Sequence, residues 1–160
     1  MLYFILWKEN IMAKSILLVR RNLTTQAVLA DEIINQGTTY RRFFTSCKCA
    51  KPIVAEGDAT TIYATGMYRI DVEATFTVPV AGDVTLQLFE NGETIDGAFA
   101  TETITTATTE TRSVAFSTYV VVDQTRVLGI NAITPESFTL VNTGVAATFT
   151  RVQVAVESVL

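Results

Sequence analysis

The chain has 160 residues, 49% of them hydrophobic and 18% charged, with 9 Phe, 5 Tyr and only 3 Pro. Its length suits one domain, and its many Thr, Val and aromatic residues are typical of a strand-rich protein. The balance of 12 basic against 16 acidic residues argues against nucleic acid or an anionic membrane surface as a partner. No stretch approaches the roughly 20 apolar residues of a membrane-spanning helix.

The first 11 residues are interpreted as an untranslated leader. Lys8-Glu9 can be encoded by a ribosome-binding sequence, and Asn10-Ile11 would then be the spacer before a start codon at Met12. The apolar run over residues 1–7 is too short to span a bilayer and lacks the features of a signal peptide. We expect residues 12–24 to form a docking segment that pairs at a sheet edge, and residues 25–160 to form the main domain.

Residues 24–44 allow two readings. A helix is suggested by Thr25 as a cap, by the spacing of Leu29 and Ile33, and by Gly37 after the run. The run is short, however, and it continues into Thr38–Phe44, which has the composition of a strand. Two short strands are therefore favoured for residues 24–37.

The central stretch over residues 66–80 alternates without a break, which predicts a strand with one buried face. The inward residues are predicted to be Tyr68, Ile70, Val72, Ala74, Phe76 and Val78. A turn at Gly82-Asp83 leads to a second alternating run with Val84, Leu86 and Leu88 inward. We predict that the two runs form an antiparallel hairpin.

The C-terminal half continues the same pattern. Asn91-Gly92 is a strong turn signal, and Asp96-Gly97 interrupts the strand that follows. Further strands are predicted at 112–122, 125–133, 137–141 and 146–156. Together these elements predict an all-β, antiparallel sandwich of about eight to ten strands.

Three apolar residues are predicted to point away from the core: Tyr119, Val121 and Phe149. Strands that are apolar on both faces are usually covered on both, and closed oligomers supply such cover. Scattered exposed apolar residues are the alternative.

Several segments resemble the jelly roll of complement globular heads and tumour-necrosis-factor proteins, including phage virion and bacterial spore-surface versions. These are Gly66-x-Tyr68, Leu86-x-Leu88-x-x-Asn91-Gly92, and the final strand from Phe149 to Glu157. Thr25-Gln26-x-Val28 and Tyr40-Arg41-Arg42, the latter with a following Cys, also resemble the start of the short phage and bacterial proteins. The resemblance implies a homotrimer packed about a three-fold axis, with Tyr119, Val121 and Phe149 at the interface. The chain lacks the Gly-x-y stalk of the spore-surface branch.

No catalytic constellation is visible. The chain has no histidine, which excludes Ser-His-Asp and Cys-His sites and imidazole metal sites. Asp71 and Glu73 share a strand face, as carboxylates on a solvated sheet commonly do. We expect no cofactor and no metal, because Glu56-Gly-Asp58 and Asp96-Gly97 have too few ligands for calcium and fit turns better.

The paired cysteines, Cys47 and Cys49, are interpreted as small thiols in a reducing compartment, since two cysteines cannot complete a zinc site. A metal site or a crosslink shared among three subunits is the alternative.

These observations predict a non-enzymatic phage virion protein that decorates the capsid surface or forms a head fibre. Ile16, Leu18, Arg20 and Arg21 are the predicted docking residues towards a capsid or other virion protein. The alternative is an adhesin, on a phage tail or a bacterial cell or spore surface, that binds a host glycan through the loops 91–99 and 105–110.

Overall fold

The computed structural model describes residues 16–44, 52–127 and 130–159. The predicted leader, Cys47 and Cys49 lie outside the described residues. The strands are β1 Ile16–Asn22, β2 Gln26–Val28, β3 Glu32–Ile34, β4 Thr38–Phe44, β5 Ile53–Glu56, β6 Ala59–Ile62, β7 Gly66–Val78, β8 Gly82–Glu90, β9 Glu93–Ile104, β10 Thr108–Val122, β11 Gln124–Val127, β12 Ile130–Ile133, β13 Glu136–Asn142 and β14 Ala147–Val159.

These strands form two antiparallel sheets and a small hairpin. The first sheet has the order β10-β7-β14-β1-β4, with β2 beside β14. The second sheet has the order β5-β6-β13-β8-β9, with β3 beside β13, while β11 pairs with β12. The predicted all-β antiparallel sandwich is confirmed, with more strands than expected because several are only three or four residues long.

The core lies between the two sheets and follows the two-residue period of the strands. All six predicted inward side chains of β7 are buried, as are Val84, Leu86 and Leu88 of β8. Burial raises the pKa of Tyr68 to about 12, and its hydroxyl donates to the Ala64 carbonyl at 2.8 Å. Each large apolar side chain buried here stabilises the fold by about 1.5–3 kcal/mol.

The predicted hairpin between β7 and β8 is wrong. β7 pairs with β10 and β14 in the first sheet, whereas β8 pairs with β13 and β9 in the second. Residues 79–81 therefore carry the chain from one sheet to the other. The crossing is tight, because a Cβ on Gly82 would lie 2.5 Å from Val145 Cγ1. Alternation identifies the buried face of a strand, but it does not identify the strand's partner.

The turn at Asn91-Gly92 is confirmed as the β8–β9 hairpin, with positive φ at both residues (51° and 87°). The two short strands over residues 24–37 are confirmed as β2 and β3. The single strand predicted over residues 125–133 is wrong, because that stretch folds back on itself as β11 and β12.

The N-terminal segment is not a sheet edge as predicted. β1 pairs with β14 on one side and with β4 on the other. It is therefore an internal strand of the first sheet.

Candidate assembly face

The candidate site is the outward face of the first sheet, the side that points away from the core. On β7 this face consists of the residues that alternate with the buried ones, from Met67 through Arg69, Asp71 and Glu73 to Thr75. Strand register places β10 residues on one side of this row and β14 residues on the other. The face is therefore continuous across the neighbouring strands.

The middle of the outward face is polar. Arg69 lies 3.1 Å from Asp71 and 2.7 Å from Glu157, and Arg151 lies 3.4 Å from Glu73. The side chains are partly exposed, so solvent screens each pair and its contribution to stability is small. Asp71 and Glu73 thus pair with different arginines, as solvated sheet residues do.

One end of the same face is apolar. Val121 lies opposite Met67, and Tyr119 lies opposite Arg69. Tyr119, Val121 and Met67 are 60%, 56% and 41% exposed. Phe43 on β4 is also exposed. The structure therefore leaves Tyr119 and Val121 outside the core, as the sequence predicted.

Phe149 does not belong to this face, and its predicted outward orientation is wrong. Its side chain is fully buried, with its ring centroid 5.7 Å from that of Phe76. The β7–β14 register shifts between Phe149 and Arg151. The extra residue of this bulge, Thr150, reverses the alternation, so that Phe149 and Val152 both point inward.

The predicted docking residues of β1 are mostly buried. Ile16 and Leu18 belong to the core, and Arg20 is only 2% exposed. The docking prediction is therefore wrong for these three residues, because alternation points them between the sheets.

Arg20 is held by backbone carbonyls. It donates to the carbonyls of Gly37, Gly57 and Ala59, at 2.5 Å in the shortest contact with each. It also contacts the side chains of Gln36 and Thr60 at 3.3 Å. Burial lowers the pKa of Arg20, and Asp58 partly opposes this effect. Arg20 therefore ties β1 to β6 and to the turns before β4 and β6.

Arg21, one residue later, points to the opposite side. Its Nη2 donates to Gln153 Oε1 at 2.8 Å, and its guanidinium lies 3.7 Å from the Tyr40 ring centroid. Arg21 and Tyr40 line an open cleft of about 1020 Å³ with Asn22, Gln26 and Asp58. The sequence did not identify this cleft, because the residues that line it come from separate segments.

In the described part of the chain, no group of three or more His, Cys, Asp or Glu residues is arranged so that it could hold a metal ion. Glu56 accepts hydrogen bonds from Thr61 at 3.0 Å and from Tyr63 at 2.9 Å. The 91–99 loop predicted for glycan binding is instead the β8–β9 turn and the start of β9. Within the described ranges no helix is long and apolar enough to cross a membrane.

The two packed sheets form a jelly roll whose fold is similar to that of tumour-necrosis-factor proteins. Murine APRIL at pH 5.0 is similar over 91% of this chain and 100% of its own, with a TM-score of 0.59 and 11% identity. Eiger TNF from S. frugiperda is similar over 91% of this chain and 92% of its own, with a TM-score of 0.59 and 11% identity. The phage PRD1 vertex protein P5 is similar over 92% of this chain and 97% of its own, with a TM-score of 0.49 and 13% identity. No family model and no curated protein matches the sequence.

Proposed function

We propose that the chain is a non-enzymatic structural protein of a bacteriophage virion, a homotrimer that decorates the capsid surface or forms a head fibre. The observation that carries the proposal is the apolar end of the outward face, at Met67, Tyr119 and Val121. Neighbouring large apolar side chains on a solvent-exposed surface commonly mark a contact with another protein. On this fold, a symmetric assembly of identical chains is the simplest cover.

Two resemblances support the finer parts of the proposal. The tumour-necrosis-factor type of jelly roll implies three copies rather than two. The segments Thr25-Gln26-x-Val28 and Tyr40-Arg41-Arg42 resemble the start of short phage and bacterial proteins, and of these two groups we assign the chain to the phage virion. Of the predicted docking residues, Arg21 keeps a partly exposed side chain, and we assign it to contact with the shell.

The solution mass of protein expressed from Met12, measured by light scattering, tests the trimer. We expect three times the chain mass for the wild type and the mass of one chain for the double variant Tyr119→Asp/Val121→Asp. The matched control is Leu23→Asp/Leu29→Asp, which places the same charges on exposed side chains outside the outward face. A monomeric wild type, or a trimeric Tyr119→Asp/Val121→Asp variant, would contradict the proposed interface.

Mass spectrometry of purified virions tests the location. We expect the chain in stoichiometric amount with the capsid proteins. A signal confined to tail fractions would instead support adhesion.

The cleft beside Arg21 favours a second candidate function, binding of a host glycan. A cationic group, an aromatic ring and amides lining an open cleft are suited to sugar hydroxyls and carboxylates. Binding on a glycan array that Tyr40→Ala abolishes would support this function, and an array without signal would oppose it.

A further inference from the structure

Charge is divided unevenly along the chain. From Met12 onward, residues 12–51 contain 7 basic and 2 acidic residues, a net charge of +5. Residues 52–160 contain 4 basic and 13 acidic residues, a net charge of −9. An asymmetry of this size indicates an electrostatic role in association.

Two of these basic residues, Arg41 and Arg42, are exposed on β4 at the edge of the first sheet. Together with Tyr40 they form a group that we call the basic edge. The ion pairs found in the described residues use Arg69, Arg112 and Arg151, and none uses an arginine of this group. Asp58 lines the cleft beside Arg21 without reaching ion-pair distance. Hydrogen bonds from Arg41 and Arg21 lower the pKa of Tyr40.

A group of carboxylates lies around the β8–β9 turn. We call Glu90, Glu93, Asp96 and Glu136 the acidic corner. Glu90 lies directly opposite Glu93 in the hairpin, and like charges in that position are destabilising. Burial and Glu136 raise the pKa of Glu90. No cation forms an ion pair with these carboxylates within the residues that the structure describes.

The two groups lie on opposite sides of the sandwich. β4 ends the first sheet, and β10 forms its other end. β9 ends the second sheet and packs beside β10. In a ring with three-fold symmetry, each copy presents two different and complementary surfaces to its neighbours, and the basic and acidic groups are such a pair.

We propose that the basic edge of one copy docks against the acidic corner of the next copy. The inference rests on the proposed homotrimer and adds a charged contact between its subunits to the apolar contact at Met67, Tyr119 and Val121. Exposed aromatic residues accompany both groups, Phe43 on β4 and Phe99 on β9. The contact would therefore combine apolar burial with complementary charge, and it would favour a head-to-tail ring over a face-to-face dimer of the outward faces.

Charge reversal tests the pairing. We expect Arg41→Glu/Arg42→Glu and Glu93→Arg/Asp96→Arg each to raise the trimer dissociation constant at least about tenfold. All four changes in one chain restore the constant to within about threefold, because the charges are exchanged rather than lost. Light scattering over a dilution series provides the measurement, and circular dichroism verifies that each variant is folded.

A matched pair separates local pairing from overall charge. Arg41→Gln/Arg42→Gln and Leu29→Glu/Ile33→Glu each lower the net charge by 2, and all four side chains are exposed. Only the first variant should weaken the trimer. The wild-type trimer should also weaken when NaCl is raised from about 0.05 M to about 0.5 M, since salt screens exposed charges.

The outcomes distinguish this inference from the proposed function. A wild-type trimer whose dissociation constant neither reversal changes would overturn the pairing and leave the trimer standing. A combined variant with all four changes whose trimer dissociates as readily as that of either charge reversal alone would also overturn the pairing. A wild type that is monomeric at every concentration would end both proposals.

Discussion

Arg20 and Arg21 are neighbours on β1, and the fold uses them in opposite ways. Arg20 points between the sheets, where backbone carbonyls from three separate positions surround its guanidinium. Arg21 points outward to Gln153 and Tyr40. Arg20 thus holds the fold together on one face of the strand, whereas Arg21 remains available to a partner on the other face. The position of a residue in the pleat decides this role, more than its chemistry does.

The same contrast holds across the first sheet. Its inner face is mostly apolar, carries the buried Arg20, and packs against the second sheet. Its outward face is ion-paired in the middle and apolar at one end. The inner face therefore specifies the fold, and the outward face carries the proposed assembly.

The largest expected difference between the two faces is in the free energy of unfolding lost by Phe149→Ala and by Tyr119→Ala. Phe149→Ala removes a fully buried ring packed on Phe76, and should lower the free energy of unfolding by about 3–5 kcal/mol. Tyr119→Ala should change it by less than about 0.5 kcal/mol in the monomer. Urea unfolding at a protein concentration low enough to give monomers measures both. Equal losses would show that Tyr119 is part of the core.

A smaller difference is expected between Arg20→Met and Arg21→Met. Arg20→Met leaves the carbonyls of Gly37, Gly57 and Ala59 without their donor, which should cost about 2–4 kcal/mol of unfolding free energy. Arg21→Met should cost less than about 1 kcal/mol. Thermal unfolding with calorimetry provides the comparison.

Arg20→Lys is the control, because it keeps the charge but lacks the fork of donors. The free energy of unfolding of Arg20→Lys should lie between those of Arg20→Met and the wild type. An Arg20→Met protein as stable as Arg21→Met would show that the carbonyl contacts add no net stability.

The smallest expected effect is the pH dependence contributed by Glu90. Its pKa in the folded protein is raised above the ordinary value of 4.5 by burial and by Glu136. The folded state therefore keeps a proton that the unfolded state has lost, and stability falls as the pH rises through the window above 4.5. Glu90→Gln should remove this dependence and be slightly more stable at pH 7. The measurement is the free energy of unfolding at several pH values. The same dependence on pH in both proteins would contradict the prediction.

The sequence predicted much of the fold because alternation is a local property. The buried face of β7, the turn at Asn91-Gly92 and the two short strands before β4 all follow from residues close together in the chain. The candidate face was only partly predictable. Tyr119 and Val121 stand out because they alternate with buried valines, whereas Phe149 was misplaced by a bulge at Thr150 that no local pattern announces.

The sequence by itself determined an all-β chain, the inward residues of its long strands, and the absence of histidine-based chemistry. Only the tertiary structure decided that β7 and β8 lie in different sheets, that Arg20 is enclosed by carbonyls, and that basic and acidic groups lie on opposite sides. The physical reason is that side-chain alternation is fixed within a strand by the backbone pleat. Strand partners and buried hydrogen bonds depend instead on contacts between residues far apart in sequence.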